Sequence, residues 1–165
     1  SRGAIARFVR DTSEIRVLEI QECPAADLAI AKAIIAVLHA HVNEQWIDFR
    51  QQLRWDTEAL AALLHEVIRD ADRTVIENRK YLQAFSFPEK KCLASELWQH
   101  LLEETLQKQS EINAAYLAPL HVILQHGTLA RRILRAVDGD FSRDKLATIY
   151  AQLSDCLAEG RQFVG

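Results

Sequence analysis

Residues 12–24, TSEIRVLEIQECP, divide a short β-rich region from a long helical one. In a strand, side chains two residues apart lie on the same face, so Glu14 and Arg16 project together. Pro24 follows at a position that suits the first turn of a helix. The stretch therefore predicts a strand that presents a carboxylate beside a guanidinium and leads directly into helical structure.

A β-hairpin is predicted over residues 1–22. The segments Ala4 to Arg10 and Ser13 to Gln21 contain alternating β-branched and aromatic residues, and Asp11-Thr12 forms the turn between them. A hairpin of two strands alone is only marginally stable in water. We therefore expect it to pair with further strands or to lie on the helices.

A helical bundle is predicted over residues 24–160, because apolar residues recur there at helical spacing. The first helix should be central and well buried through one apolar stripe, which comprises Leu28, Ala31, Ile35, Leu38 and Val42. The charged segment Asp70 to Lys80 should continue a preceding helix as its solvated rim. The fold class is thus mainly α with an N-terminal hairpin, and residues 1–165 should form a single domain.

The net charge and the cysteine content indicate which partners the protein can have and in which cellular compartment it is expected. The formal net charge is −3 and the arginines are scattered among acids, so a nucleic-acid partner is not expected. The cysteines are odd in number and form no CxxC pair, which predicts neither a disulfide framework nor a zinc site and fits a cytoplasmic location. They are Cys23, Cys92 and Cys156.

A membrane partner is not expected either. The longest apolar run, Leu28 to Ala40, is interrupted by Lys32 and His39 and is short for a membrane span. The sequence starts at Ser1 without an initiator Met, and we expect it to begin in the middle of a longer polypeptide.

Glu14 and Arg16 have two interpretations when only their spacing is considered. The simpler is a surface ion pair, worth about 0–1 kcal/mol when exposed. The alternative is that the carboxylate ligates a hard cation while the guanidinium neutralises phosphate oxygens, as phosphoryl transfer requires. The spacing leaves both open.

A second candidate is an anion site at the helix start near Thr128, because Arg131, Arg132 and Arg135 follow it. Arginines in such a pattern more often form a solvated face. The six histidines lack the spacing of a metal site, and we expect structural roles for them.

The same stretch, followed by the helix AADLAIAKAIIAVLHA, resembles the glutamate–cysteine ligase family and its relatives, the carboxylate-amine ligases. A late strand of that family reads Glu-(Ile/Val)-Arg, then two residues, an acidic residue and a Pro-containing turn before a helix. The matching residues here are Glu14, Ile15, Arg16, Glu19 and Pro24.

The resemblance implies an ATP-dependent ligase that phosphorylates the γ-carboxylate of glutamate and lets an amine, such as that of cysteine, attack the acyl phosphate. It implies the C-terminal part of an α+β antiparallel-sheet fold resembling glutamine synthetase, with ATP and magnesium (Mg2+) as cofactors. By position, Glu14 would be a metal ligand, and Arg16 would be the catalytic residue that contacts the ATP phosphates. Glu19 is not assigned a role. A single carboxylate cannot assemble a two-metal site, so this chain alone should be inactive.

A non-catalytic reading stays open beside the ligase. In it the chain is a helical interaction module whose hairpin completes the sheet of a partner. Because an unpaired strand edge invites pairing with another chain, a homodimer through the hairpin is also expected.

Overall fold

The computed structural model describes residues 3–107 and 114–165 and confirms the predicted class, a small N-terminal hairpin followed by helices. The strands are β1 (Ala4–Arg7), β2 (Thr12–Ile15), β3 (Val75–Ile76) and β4 (Cys92–Leu93). The helices are α1 (Pro24–Val42), α2 (Phe49–Gln52), α3 (Thr57–Asp70), α4 (Arg79–Gln83), α5 (Ala94–Leu102), α6 (Ala114–His126), α7 (Leu129–Val137) and α8 (Arg143–Glu159). A π-helical segment (Glu103–Gln107) continues α5.

The strands of the hairpin are shorter than the sequence predicts. The last part of the expected first strand forms a 3-10 turn (Phe8–Arg10), which Asp11 closes in the left-handed conformation with φ 48°. The second strand does not reach Gln21, because Val17 has φ 62° and a left-handed residue interrupts the two-residue alternation. The paired region is antiparallel, with Ala4 opposite Ile15 and Arg7 opposite Thr12.

Helix α1 buries the face opposite to the one expected. Its fully covered residues are the alanines Ala26, Ala29, Ala33 and Ala40. The predicted core stripe is instead exposed, with 60% of Leu28, 60% of Ile35 and 80% of Val42 accessible. Small side chains let neighbouring helices approach closely, and α1 packs mainly on α6 and on the segment that continues α5. The expectation that the large aliphatic residues mark the buried face was wrong.

The charged segment after α3 is not a continued helix. Helix α3 ends at Asp70, Ala71 has φ 50°, and a 3-10 turn (Ala71–Arg73) leads into β3. Strand β3 pairs antiparallel with β4, which places Ile76 opposite Cys92 in the buried core. A long-range strand pair therefore overrides the helical continuation that composition suggested.

Within the described residues, three clusters of apolar side chains form the core. The first joins β3, β4, α4 and α5 and contains Ile76, Leu82, Phe85, Leu97 and Leu101. The second joins α1, α5 and α6 through Ala29, Ala33, Leu102, Leu106 and Leu120. The third joins α7, α8 and the C-terminal residues through Val137, Ile149, Cys156 and Phe163. Among the described helices, α1 is the one that is long and apolar enough to cross a membrane, which is weak evidence because core helices also meet that criterion.

A buried ion pair connects the segment after the hairpin to the C-terminal residues. Arg132 and Glu22 are both inaccessible to solvent, and Nη1 of Arg132 donates to Oε1 of Glu22. The same carboxylate oxygen accepts the backbone N–H of Phe163 at 3.0 Å, and Nε of Arg132 donates to the Gly127 carbonyl at 3.1 Å. The expectation of a solvated face is thus wrong for Arg132, whose charge is neutralised inside the protein.

Candidate functional site

Three charged side chains of the hairpin form a cluster of one carboxylate and two guanidiniums. Oε1 of Glu14 accepts from Nε of Arg16 at 2.8 Å, and Oε2 accepts from Nε of Arg7 at 2.8 Å. A second nitrogen of Arg7, Nη2, also contacts Oε2. Both oxygens of Glu14 are therefore engaged by cations, and we call this group the Arg7–Glu14–Arg16 cluster.

The pairing of β1 with β2 explains the cluster. Ile5 lies directly opposite Glu14, so Arg7 is a diagonal neighbour of Glu14 on the same face of the hairpin. Arg16 follows the last residue of β2, yet its backbone N–H still donates to the Gly3 carbonyl at 2.8 Å. This bond extends the paired geometry and keeps Arg16 on the side of Glu14.

The base of the hairpin rests against the helices. A Cβ atom added to Gly3 would lie 3.2 Å from Cδ2 of Leu64 on α3. A contact of that length leaves little space for a larger side chain. The hairpin is thus supported at its open end, while the residues of its turn, Phe8 and Val9, are 86% and 101% exposed.

The two guanidiniums of the cluster keep the Glu14 carboxylate ionised and give the cluster a net positive charge. Hydrogen bonds from Arg7 and then from Arg16 lower the pKa of Glu14 below its ordinary value. The side chains of Arg7, Glu14 and Arg16 are 46%, 38% and 44% accessible, so an anion from solution can reach them. With two guanidiniums and one carboxylate, the cluster carries one net positive charge.

A phosphate group fits this arrangement, because guanidinium N–H groups match phosphate oxygens in geometry and charge. A magnesium ion does not fit it on the residues of this chain alone. Both oxygens of Glu14 accept hydrogen bonds from guanidinium groups, whereas magnesium needs oxygen ligands in octahedral geometry. Among the residues that the structure describes, no group of three or more His, Cys, Asp or Glu is placed to hold a metal ion.

The structure brings Glu14 and Arg16 together, as the two-residue spacing predicts. It adds Arg7, which the spacing of residues within one strand does not reveal, because its place diagonally across from Glu14 depends on the register of the hairpin. The length of the turn from Phe8 to Asp11 sets that register and was the signal available. Glu19 lies outside β2 and its carbonyl accepts from the side chain of Gln21.

The arginines after Thr128 are used within the protein rather than at an anion site. Nε of Arg131 lies 2.6 Å from Oδ1 of Asp72, and Arg132 is buried with Glu22. Arg135 donates to the carbonyl of Val164 at 2.7 Å. The hydroxyl of Thr128 caps the helix by accepting from the backbone of Arg131. These arginines hold the C-terminal helices against the rest of the chain.

Comparison with known proteins identifies the family. The model of glutamate-cysteine ligase family 2 matches residues 1–152. The chain belongs to this family. The match extends well beyond the hairpin and α1, which carry the resemblance in the sequence, and it includes most of the helical region.

A relative of this family-2 chain is an uncharacterized protein of Archaeoglobus fulgidus. It is 27% identical over 164 residues, which cover 99% of the chain but 37% of the relative. The chain therefore spans about 37% of the length of the protein that it matches. No solved structure gives a significant match to the chain.

Proposed function

We propose that the whole protein is an ATP-dependent carboxylate-amine ligase that joins the γ-carboxylate of glutamate to an amine through an acyl phosphate. Membership of glutamate-cysteine ligase family 2 supports a ligase. The single observation that carries the proposal is the Arg7–Glu14–Arg16 cluster, in which two accessible guanidiniums share one carboxylate on the hairpin.

Formation of the amide bond requires that the carboxylate of glutamate be converted into an electrophile that an amine can attack. Its oxygen attacks the γ-phosphorus of ATP, the bond to the β,γ-bridging oxygen breaks, and ADP leaves. The amine then attacks the acyl carbon and phosphate departs with the former carboxylate oxygen, while the ammonium proton passes to solvent. In this scheme Arg16, with Arg7 beside it, neutralises charge on the transferring phosphoryl group.

Glu14 has two parts in the proposal. In the present geometry it accepts from both guanidiniums and fixes their separation, so it is a positioning residue for Arg7 and Arg16. It is also this chain's candidate metal ligand, but the other ligands of a magnesium ion would have to come from elsewhere in the whole protein. Bound magnesium would supply charge neutralisation at the ATP phosphates. A cytoplasmic location and cysteine as the amine are further parts of the same proposal.

Arg16→Lys in the whole protein tests the assignment. Lysine keeps the charge and loses the planar fork, so ADP release that depends on glutamate and an amine should fall by about 100-fold. Arg69→Lys is the matched control, because Arg69 also donates from its Nε to a carboxylate, that of Asp70, at an exposed position on α3. Turnover of Arg16→Lys equal to that of Arg69→Lys would show that the cluster is an ordinary surface ion pair.

A second candidate function is the non-catalytic interaction module whose hairpin completes a partner sheet. It is favoured by one observation: within the described residues, β1 and β2 form a sheet of two strands, which leaves their outer edges unpaired. The same assay separates the two functions. Glutamate-dependent ADP release that Arg16→Lys lowers by about 100-fold supports the ligase. A whole protein that is inert toward ATP and glutamate supports the module.

A further inference from the structure

The exposed face of α1 carries a regular apolar seam. Its members are Leu28, Ala31, Ile35, Leu38 and Val42, which alternate at spacings of three and four residues and are all exposed. Leu38 is 43% accessible and the other three large residues are more so. We call these residues the α1 seam. Their spacing is the a/d repeat of a coiled coil, sustained over two heptads from the second turn of the helix to its last residue.

The opposite face of the helix is already occupied. Ala29 and Ala33 are buried in the cluster that joins α1 to α5 and α6. The seam therefore lies outside the core of this chain, and it is a row of large aliphatic residues rather than scattered single ones. Contiguous apolar surface of this kind marks an interaction site in soluble proteins.

We propose that the α1 seam binds the α1 seam of a second copy of this chain, in parallel and around a twofold axis. In parallel two-stranded coiled coils, β-branched residues are favoured at position a and leucine at position d. Ile35 and Val42 occupy a positions, and Leu38 occupies a d position.

The charges beside the seam also select the parallel arrangement. Asp27 occupies a g position and Lys32 the e position five residues later. In a parallel pair, Asp27 of one copy faces Lys32 of the second copy, and the twofold axis repeats this contact. An antiparallel pair would instead bring Lys32 toward His39 of the second copy, which offers no negative charge.

The size of the seam sets the expected strength. A standard protein interface contains about 20–30 residues on each side, and five seam residues with their neighbours are fewer. The dimer should therefore dissociate on dilution. Because the seam lies on α1, dimerisation does not depend on the edges of the hairpin or on the proposed ligase activity.

Sedimentation velocity of the chain over a concentration series tests the proposal. The chain should shift from monomer to dimer, and Ile35→Glu should abolish the dimer because it places a charge in the centre of the seam. Leu157→Glu is the matched control, since Leu157 on α8 is 57% exposed and lies outside the seam. Arg7→Pro, which removes a backbone donor from β1, should leave the dimer intact.

A dimer that Arg7→Pro abolishes and Ile35→Glu preserves would overturn the proposal in favour of a dimer through the hairpin. A chain that stays monomeric at every concentration would overturn it as well, and would mean that something other than a second copy covers the seam.

A cysteine at the end of the seam tests the parallel direction. Val42→Cys should form a disulfide between two copies under mild oxidation, since a parallel pair places position 42 beside itself. The natural cysteines, which are buried, should not interfere. Gln152→Cys on the exposed face of α8 is the control and should remain reduced. A dimer in which Val42→Cys cross-links no better than Gln152→Cys would contradict the parallel arrangement.

Discussion

Replacing Arg132 by methionine should severely destabilise the folded chain. Arg132 and Glu22 are both inaccessible to solvent, so the substitution leaves a buried carboxylate without its counter-charge. Removing one partner of a buried ion pair costs about 3–5 kcal/mol. The carbonyl of Gly127 also loses a donor, and a buried acceptor left unsatisfied costs about 1–3 kcal/mol.

The magnitude is large relative to the stability available. Single domains are stable by about 5–15 kcal/mol, so Arg132→Met should bring the chain close to its unfolding transition in water. Glu22→Gln/Arg132→Met should recover part of the loss. The glutamine removes the buried charge and its amide oxygen can still accept the N–H of Phe163, which Glu22 accepts at 3.0 Å.

Urea unfolding followed by circular dichroism measures each free energy, and a double-mutant cycle gives the coupling between the two residues. Arg69→Met is the control, since its ion pair with Asp70 is exposed to solvent and should contribute little to the free energy of unfolding. A loss of stability for Arg132→Met no larger than that for Arg69→Met would contradict the burial of the Arg132–Glu22 pair, because it would show that water reaches the two side chains.

Three further predictions concern the hairpin. The pKa of Glu14 lies below its ordinary value in the folded chain, so the contribution of Glu14 to stability is complete above its unfolded-state pKa and is lost as the pH falls through its folded-state pKa. Arg7→Gln should raise the pKa of Glu14 in an NMR titration. An unchanged pKa would contradict the hydrogen bonds from Arg7. Val17→Gly should leave the urea midpoint unchanged or raise it, because a left-handed conformation costs a side-chain-bearing residue about 1–2 kcal/mol, and a marked loss of stability would contradict the φ of 62°. The 165-residue chain by itself should release no ADP from ATP with glutamate and an amine, and metal-dependent release above the blank would show that the site is complete within it.

The sequence predicts what depends on local periodicity. The position of the hairpin, the shared face of Glu14 and Arg16, and the start of α1 at Pro24 follow from spacings of a few residues. The end of β2 does not follow from the local sequence, because no residue pattern around Val17 predicts its left-handed backbone conformation. The place of Arg7 beside Glu14 depends on the register of the hairpin. A prediction that gives the turn the wrong length gives the wrong register.

The remaining differences come from contacts between distant parts of the chain. Helix α1 is apolar on both faces, and the pattern of large residues favours the wrong one because close packing on α6 needs alanines such as Ala29 and Ala33. Arg132 is buried against Glu22, a partner that lies 110 positions away in the sequence. Residues Val75 and Ile76 are extended because β4 pairs with them. No local pattern contains these partners.

The most direct test of the central claim uses glutamate labelled with oxygen-18 in its γ-carboxylate and the whole protein with ATP and an amine. An acyl-phosphate route transfers one labelled oxygen to each phosphate released, which mass spectrometry of the phosphate detects. We expect this transfer, at a rate that Arg16→Lys lowers together with the rate of ADP release. Amide formation with unlabelled phosphate would contradict the proposed chemistry, and labelled phosphate at an unchanged rate in Arg16→Lys would contradict the role given to the hairpin.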